Sequence, residues 1–253
     1  MKQQFGLIGF PLSHSFSSNY FQQKFEQNNI EAIYKSHPIE DITLLPELLL
    51  QQPELKGLNV TIPYKTSVIE YLNYISKEAH QIGAVNCIKI VGDKLLGFNT
   101  DYIGFANSLK PLLPADTKAA LVLGSGGSSQ AVQYALKQMG ISYHIVSQSG
   151  KGNYNYTDLN EAIIRAHTLI INTTPLGMFP HTQAYPPIPY SLLSDKHLLY
   201  DLIYNPDQTA FLKQGVAKGA ATKNGWEMLQ LQAEKSWDIW NEEQDLSEFI
   251  FLK

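Results

Sequence analysis

One segment of the sequence constrains the fold more than any other. Residues 119–140 read AALVLGSGGSSQAVQYALKQMG, an apolar run, a glycine-rich turn and an amphipathic stretch that ends at Gly140. The run predicts a buried strand and the stretch predicts a helix, and SYHIV (Ser142–Val146) follows as a second strand. A strand, a glycine turn, a helix and a further strand in this order are typical of a parallel α/β sheet.

The turn itself, GSGGSS, predicts a dinucleotide site. Glycine permits a tight turn and a close approach of the backbone to a pyrophosphate, and the helix N-terminus supplies free N–H groups and partial positive charge. The alternative, a glycine turn in an α/β fold that binds no nucleotide, stays open on these residues alone. The residues assigned to the pyrophosphate are Gly124, Ser125, Gly126, Gly127 and Ser128.

The end of the second strand indicates which nicotinamide cofactor would bind. NAD-binding versions of this unit usually place Asp or Glu about 20 residues on, where the carboxylate takes the ribose 2′-hydroxyl. The segment Ser142–Asn153 contains no carboxylate, so NADP is favoured and NAD remains possible. Lys151 taken alone is equally well explained as a solvated loop lysine. The candidates for holding a 2′-phosphate are Ser147, Gln148, Ser149 and Lys151.

The remaining pattern divides the chain into two domains. A length of 253 residues favours two modest domains over one. Residues 1–100 alternate short β-like runs with helical patterns, which predicts an α/β sheet. The periodic segment Trp226–Trp240 predicts a helix that packs back on the first domain. We therefore expect a discontinuous first domain, residues 1–101 plus 226–253, and a second domain of the Rossmann type, residues 102–225.

The run-by-run predictions are as follows. Strands are expected over Gln3–Gly9, Glu31–His37, Gly57–Ile62, Thr168–Thr174 and His197–Tyr204, with a hairpin over Ala84–Phe98 that turns at Gly92–Asp93. Helices are expected over Ser17–Asn28, Ile42–Gln52, Glu78–Ile82, Asp158–His167 and Pro206–Gly219.

Charge and cysteine content exclude several classes of protein. A formal net charge of −4 supplies no broad cationic field for nucleic acid. No apolar run approaches the roughly 18 residues of a membrane helix, and the first 15 residues do not resemble a signal peptide. The single cysteine, Cys87, excludes an internal disulfide framework and a cysteine-based zinc site and fits a reducing compartment. We expect a cytoplasmic protein without a metal site.

Polar clusters follow several expected strands of the first domain, at the edge where open α/β sheets bind ligands. With them the sequence resembles the shikimate dehydrogenases over essentially its whole length. The matching motifs are G-x-P-x-x-H-S-x-S (Gly9–Ser17), NVTIPYK (Asn59–Lys65), GAVN (Gly83–Asn86), NTD (Asn99–Asp101), GSGG, NTTPLGM (Asn172–Met178), DLIYNP (Asp201–Pro206) and NGxxMLxxQA (Asn224–Ala233).

The resemblance implies an N-terminal substrate domain, an NADP domain and the reversible NADPH-dependent reduction of 3-dehydroshikimate to shikimate in aromatic amino-acid biosynthesis. It implies that Lys65 and Asp101 are the catalytic pair and that Ser15 and Ser17 hold the substrate carboxylate. It assigns further contacts with the carboxylate and ring hydroxyls to Asn59, Thr61, Asn86, Tyr204 and Gln232. It places Leu202 and Gly225 near the nicotinamide.

Elementary chemistry agrees with the catalytic pair. Hydride transfer to a ketone leaves an alkoxide, which a lysine ammonium stabilises and protonates, and a carboxylate within reach orients the lysine. The other interpretations are an exposed lysine at a helix start for Lys65 and a helix N-cap for Asp101. We expect His14 to be structural, because the reaction already has its proton donor.

The sequence departs from the family pattern at the second Rossmann strand. Where the family usually has an arginine, this sequence has Gln148, which leaves Lys151 to take the arginine's place. The one arginine of the chain is Arg165. A quinate/shikimate dehydrogenase that uses both NAD and NADP is therefore an alternative. A second alternative is a non-catalytic nucleotide-binding sensor, although such a protein would not be expected to keep both Lys65 and Asp101. We expect a monomer or a homodimer.

Overall fold

The computed structural model describes residues 2–12, 16–114 and 117–253. The chain divides into two compact units: unit 1 comprises Met1–Thr100 and Ala233–Lys253, and unit 2 comprises Asp101–Gln232. The second boundary falls inside a helix, whereas the predicted domain boundary stands at that helix's first residue. The α/β fold class predicted from the sequence is confirmed.

Unit 1 is built on a mixed sheet. Its described residues form seven strands in the order β12-β4-β6-β5-β3-β1-β2. The strands are β1 (Gln3–Gly9), β2 (Ala32–Pro38), β3 (Leu55–Val60), β4 (Tyr74–Ile75), β5 (Cys87–Val91), β6 (Lys94–Phe98) and β12 (Ile250–Phe251), and the helices are α1 (Phe16–Gln27), α2 (Leu45–Gln51) and α3 (Lys77–Ile82).

The strand directions bring several strand ends to one edge of this sheet. β1 runs parallel to β2 and β3, while β5 pairs antiparallel with both β3 and β6. The tight β5–β6 turn passes through Gly92, whose φ of 61° favours glycine. The carboxyl ends of β3 and β6 therefore lie beside the amino end of β5, and the polar residues that follow or precede these ends share an edge.

Unit 2 is a parallel sheet. Its described residues form five strands in the order β11-β10-β9-β7-β8, all paired in parallel. The strands are β7 (Ala119–Leu123), β8 (Ser142–Val146), β9 (Leu169–Asn172), β10 (Leu198–Asp201) and β11 (Ala221–Lys223), and the helices are α4 (Asp101–Leu109), α5 (Gly127–Gln138), α6 (Glu161–Ala166) and α7 (Ala210–Val216). The last long helix, α8 (Trp226–Asn241), begins in unit 2, and its residues from Ala233 onward belong to unit 1.

The strand order of unit 2 reverses at β7. β8 lies on one side of β7 and β9 on the other, so the loops that follow β7 and β9 diverge. Open α/β sheets bind ligands in the crevice at such a point, outside the carboxyl ends of the strands. The GSGGSS turn directly follows β7, and thus stands at the reversal.

Both units have apolar cores that the sequence pattern accounts for. In unit 1, Phe5 and Phe21 pack with Ala233 and Trp240 from the second half of α8. The second half of α8 thus contributes to the core of unit 1. In unit 2, Val122 and Ile171 from the sheet pack with Val132 of α5 on one face. Among the described residues, no helix has both the length and the apolar character needed to span a bilayer.

Several element ends differ from prediction for local reasons. The predicted strand His197–Tyr204 stops at Asp201, whose carboxylate accepts the N–H of Ile203 and turns the backbone. The predicted helix after Pro206 begins only at Ala210, where the Thr209 hydroxyl caps it. The short strands β4, β11 and β12 have no predicted counterpart, and short 3₁₀ turns lie at Ile42–Leu44, Ser67–Tyr71, Lys110–Leu112, Tyr156–Asp158, Tyr190–Leu192 and Leu246–Glu248.

Candidate active site

Two buried asparagines stand together at the polar edge of unit 1. Asn59 lies near the end of β3, and Asn86 directly precedes β5. The antiparallel pairing of Asn59 with Cys87 makes the two asparagines neighbours, and Asn59 Nδ2 donates to the backbone oxygen of Asn86 at 3.2 Å. They are 4% and 3% exposed, so each amide needs a partner inside the protein.

Hydroxyl groups supply those partners. Asn59 Nδ2 donates to Ser236 Oγ at 2.9 Å, and Asn86 Nδ2 donates to Thr100 Oγ1 at 2.9 Å. The hydroxyls of Thr100 and Ser236 lie 3.3 Å apart, so the two asparagines and the two hydroxyls form one hydrogen-bonded network. Neither hydroxyl has a role that the sequence predicts, although Thr100 lies inside the NTD motif. Ser236 joins through α8 and is far from the others in sequence, so no local signal marks it.

The same network extends to a predicted substrate residue. Tyr34 donates its phenol proton to Asn59 Oδ1 at 2.8 Å and is also hydrogen-bonded to Ser17. Burial raises the pKa of Tyr34 well above its usual value, with the Ser17 hydrogen bond opposing the shift. Tyr34 therefore stays a neutral donor. The structure thus brings together Ser17, Asn59 and Asn86 of the predicted set, while Ser15 and His14 lie outside the described residues.

The loop after β3 leads to Lys65. Thr61 N–H donates to Ile8 O of β1 at 2.9 Å, and a tight turn follows in which Tyr64 N–H donates to Thr61 O at 2.9 Å. The Lys65 carbonyl then accepts from Val85 N–H at 2.7 Å, so the GAVN segment holds the backbone of Lys65 in place. Thr61 and Lys65 are both half-buried, as expected of groups that reach into a site.

Asp101 is the first residue of α4 and belongs to unit 2. Its side chain is buried, at 6% exposure, in the helix turn where free N–H groups favour a carboxylate. Lys65 belongs to unit 1, and the pairing of the two side chains stays a prediction.

The glycine turn of unit 2 has the geometry of an anion cradle. Gly124 has a φ of 109°, a value that favours glycine, and Ser129 Oγ closes the turn by donating to Gly124 O at 2.8 Å. Gly126 is the N-cap of α5, so no side chain caps that helix end. A Cβ placed on Gly126 would meet no atom within 4 Å, which leaves its backbone open to a ligand. These residues fit a pyrophosphate.

A row of hydroxyls leads away from this turn. Ser125 Oγ lies 3.3 Å from Ser147 Oγ, and Ser147 Oγ lies 2.8 Å from Ser149 Oγ. Ser147 is buried just beyond β8, whereas Gln148, Ser149 and Lys151 are exposed. The structure therefore links Ser147 and Ser149 to the pyrophosphate turn through Ser125, while Gln148 and Lys151 lie exposed in the same loop after β8.

The other assigned residues of unit 2 fall into separate places. Leu202 and Gly225 are adjacent, because a Cβ on Gly225 would clash with Leu202 O. Tyr204 packs against Trp226 with ring centroids 6.0 Å apart, and burial raises the pKa of Tyr204. Gln232 is buried in α8 and donates to Leu229 O at 2.9 Å.

A family model described as the shikimate dehydrogenase substrate binding domain matches residues 7–88. The shikimate dehydrogenase (NADP(+)) of Clostridium beijerinckii is 40% identical over 94% of this chain and 92% of its own length. The chain belongs to the shikimate dehydrogenase family. This member spans nearly the full length of its relatives, so both units have counterparts there.

Solved structures of the family agree with both units. The structure of shikimate 5-dehydrogenase from Thermus thermophilus, in complex with NADP(H) and shikimate, matches with a TM-score of 0.84 at 30% identity. That match covers 97% of this chain and 96% of the Thermus chain. The shikimate dehydrogenase of Aquifex aeolicus matches with a TM-score of 0.84 at 33% identity, over 98% of this chain and 96% of its own.

Proposed function

We propose that this chain is an NADP-dependent shikimate dehydrogenase, which interconverts shikimate and 3-dehydroshikimate. The observation that favours this function most strongly is the full-length similarity to curated relatives that are named shikimate dehydrogenase (NADP(+)). The enzyme is an oxidoreductase that acts on a hydroxyl of shikimate. NADP is its cofactor, and shikimate and 3-dehydroshikimate are its small-molecule partners.

Lys65 handles the proton of the reaction. Bound NADPH supplies the hydride that reduces the substrate ketone. As negative charge develops on the ketone oxygen, the Lys65 ammonium stabilises it and donates a proton. In the opposite direction, neutral Lys65 accepts the proton of the alcohol, and Asp101 orients the amine. The hydrogen bond from the Val85 N–H to the Lys65 carbonyl, at 2.7 Å, supports this role because it fixes the backbone from which the lysine side chain extends.

Hydroxyls and amides bind the substrate. Ser15 and Ser17 hold the substrate carboxylate. The residues that contact the carboxylate and the ring hydroxyls are Asn59, Thr61, Asn86, Tyr204 and Gln232. Hydrogen bonds within unit 1 already orient the Asn59 and Asn86 side chains, which supports the proposal since side chains that are already ordered lose little conformational freedom on binding. A site built for hydroxyls penalises analogues that lack them. The single arginine, Arg165, is exposed on α6 and is not needed here.

The cofactor binds on unit 2. The turn Gly124–Ser128 and the N-terminus of α5 would hold the pyrophosphate, and Leu202 and Gly225 would contact the nicotinamide. The 2′-phosphate is held by Ser147, Gln148, Ser149 and Lys151. The contiguous hydroxyls of Ser125, Ser147 and Ser149 support this assignment, and the absence of a carboxylate from the sequence 142–153 removes the group that would repel a phosphate.

Initial rates of shikimate oxidation with NADP and with NAD test the proposed function directly. We expect turnover with both shikimate and NADP present and a higher kcat/KM for NADP than for NAD. Quinate is assayed beside shikimate with each cofactor. Turnover of quinate together with comparable use of NAD would favour the quinate/shikimate dehydrogenase, and no turnover with any pair would contradict the function.

We also infer a cytoplasmic location and a monomeric or homodimeric state. The single cysteine, Cys87, supports the first inference, because a chain with one buried thiol has no internal disulfide to need an oxidising compartment. Light scattering of the purified chain decides the second: a mass of one or two chains is expected, and a larger assembly contradicts it.

A further inference from the structure

A fully buried carboxylate ends the fourth strand of unit 2. Asp201 is 0% exposed, and its Oδ1 accepts the Ile203 N–H at 3.1 Å and the Asn172 amide at 3.0 Å. Its Oδ2 accepts the Thr209 hydroxyl at 2.6 Å. Among the described residues no cation pairs with it, so three neutral donors hold a group whose charge is costly to bury.

These three partners all donate to the ionised form of Asp201. The Ile203 N–H and the Asn172 side-chain NH2 can only donate, and the Thr209 hydroxyl donates its proton to Asp201 while its oxygen accepts from Leu212 N–H. Burial raises the pKa of Asp201 to about 7, and the three hydrogen bonds oppose the rise. The group therefore changes charge near neutral pH, and its protonated form accepts weaker hydrogen bonds from the same donors.

One arm of the network fixes the turn after β9. Asn172 presents its amide to Asp201 and uses its Oδ1 to accept both the N–H of Thr174, at 3.0 Å, and the Thr174 hydroxyl, at 2.7 Å. Asn172 Nδ2 also lies 3.3 Å from Leu176 O. The turn over residues 172–176 is thus tied to Asp201 through one side chain.

The other arm fixes the turn after β10. The bond from Ile203 N–H to Asp201 sets the direction of the chain, and Leu202 N–H donates to Asn172 O at 3.0 Å. Gly225 N–H then donates to Ile203 O at 3.0 Å, which brings the start of α8 against the same turn. Leu202 and Gly225 are the two positions assigned to the nicotinamide.

We propose that Asp201 is a positioning residue for the cofactor, whose carboxylate holds the turns over residues 172–176 and 201–204 in the geometry that receives the nicotinamide ring. The inference rests on the proposed function, which assigns Leu202 and Gly225 to that ring. The phenol of Tyr190 is a titratable group close enough to Asp201 to be affected by its charge. Burial, and then charges that include Asp201, raise the pKa of Tyr190, so it stays neutral while Asp201 titrates.

The substitution Asp201→Asn tests the proposal, because it keeps the shape and removes the charge. At pH 8 we expect the KM for NADP to rise about tenfold, the equivalent of one lost hydrogen bond to a charged group, with a much smaller change in kcat. As the pH falls from about 8 to about 6, wild-type Asp201 takes up its proton. The ratio of the two KM values then falls towards one. The 2′-phosphate of NADP titrates alike in both proteins and cancels in the ratio.

A second pair of variants keeps the test decisive if Asp201→Asn does not fold. Thr209→Ser retains the donor to Asp201 and should keep the wild-type KM for NADP, whereas Thr209→Val should raise it. Asn160→Ala removes a helix cap elsewhere in unit 2 and controls for the loss of the cap on α7. Equal KM values for the serine and valine variants, or an unchanged KM and pH profile in Asp201→Asn, overturn the proposal. A wild-type enzyme inactive with shikimate and NADP instead overturns the proposed function.

Discussion

A pair of histidines shows how a single hydrogen-bond chain fixes protonation states. His167 Nδ1 lies 2.6 Å from Ile163 O, a pure acceptor, so this nitrogen bears the proton. His167 Nε2 must then accept, and it lies 2.8 Å from His144 Nδ1, which donates. Burial lowers the pKa of His167, with a further contribution from His144. A second proton on His167 would set two N–H groups against each other.

The pair makes stability depend on pH in a predictable direction. Because the pKa of His167 is lower in the folded chain than in the unfolded chain, the unfolded chain binds more protons as pH falls below about 6.5, and the folded state loses stability. We expect His167→Gln to lower the melting temperature at pH 8 by about 2–4 °C, which corresponds to roughly 1 kcal/mol. The difference from wild type should shrink at pH 5.

The exposed His181 provides a matched control for this prediction. His181→Gln should leave both the melting temperature and its pH dependence unchanged. A difference between wild type and His167→Gln that stays constant from pH 8 to pH 5 would contradict the assignment.

At the scale of elements, close helix contacts position residues of the site. In α4, a Cβ on Gly104 would lie 2.5 Å from Met228 O and 3.1 Å from the Gln232 backbone nitrogen, both in α8. The nearest obstacle is backbone, which cannot turn aside as a flexible side chain can. Gly104 therefore sets the spacing between the helix that begins with Asp101 and the helix that contains Gln232.

We expect Gly104→Ala to destabilise the protein by about 1–3 kcal/mol, because the added methyl forces α4 and α8 apart. Helix propensity alone would make the same change stabilising by roughly 1 kcal/mol, so the sign of the effect separates the two causes. Denaturant unfolding followed by circular dichroism measures it. Asn107→Ala, at an exposed position of the same helix, is the control and should be neutral or stabilising. A stabilised Gly104→Ala protein would contradict the contact.

The sequence predicted elements well where the pattern is local. The strand, turn and helix of residues 119–140 follow from apolar periodicity and glycine placement, and the β5–β6 hairpin follows from Gly92. The strand β12 does not follow from the local pattern, because its two residues become a strand only by pairing with β4, which is far away in the sequence. The hydroxyl of Ser236 and the buried carboxylate of Asp201 were not assigned roles either, since depth of burial and long-range partners leave no local signal.

At the scale of the whole molecule, the residues assigned to NADP all belong to unit 2, whereas most of those assigned to shikimate, Thr61 among them, belong to unit 1. Ligands that bind only the folded state raise its melting temperature by mass action. We expect shikimate and NADP each to do so with the wild-type protein. Thr61→Val should abolish most of the increase in melting temperature that shikimate causes and keep the increase that NADP causes. The reason is that the substitution removes a hydroxyl of unit 1 at nearly constant volume.

The reverse experiment uses unit 2. Lys151→Ala should weaken the increase in melting temperature that NADP causes, leave the increase that shikimate causes intact and raise the KM for NADP more than that for NAD, since it removes a charge assigned to the 2′-phosphate. Lys137→Ala, an exposed lysine at the end of α5, is the control and should behave as wild type. If either site variant lost both increases in melting temperature equally, the assignment of Thr61 to shikimate and of Lys151 to NADP would be wrong.

The central claim is that Lys65 transfers the proton of an NADP-linked oxidation of shikimate. The most direct measurement is kcat for that reaction with Lys65→Ala, beside wild type and Lys56→Ala, which changes an exposed lysine of β3. We expect kcat to fall by about 10²–10⁴-fold in Lys65→Ala alone, with little change in the affinity for NADP. Turnover by Lys65→Ala equal to that of wild type and Lys56→Ala would contradict the claim.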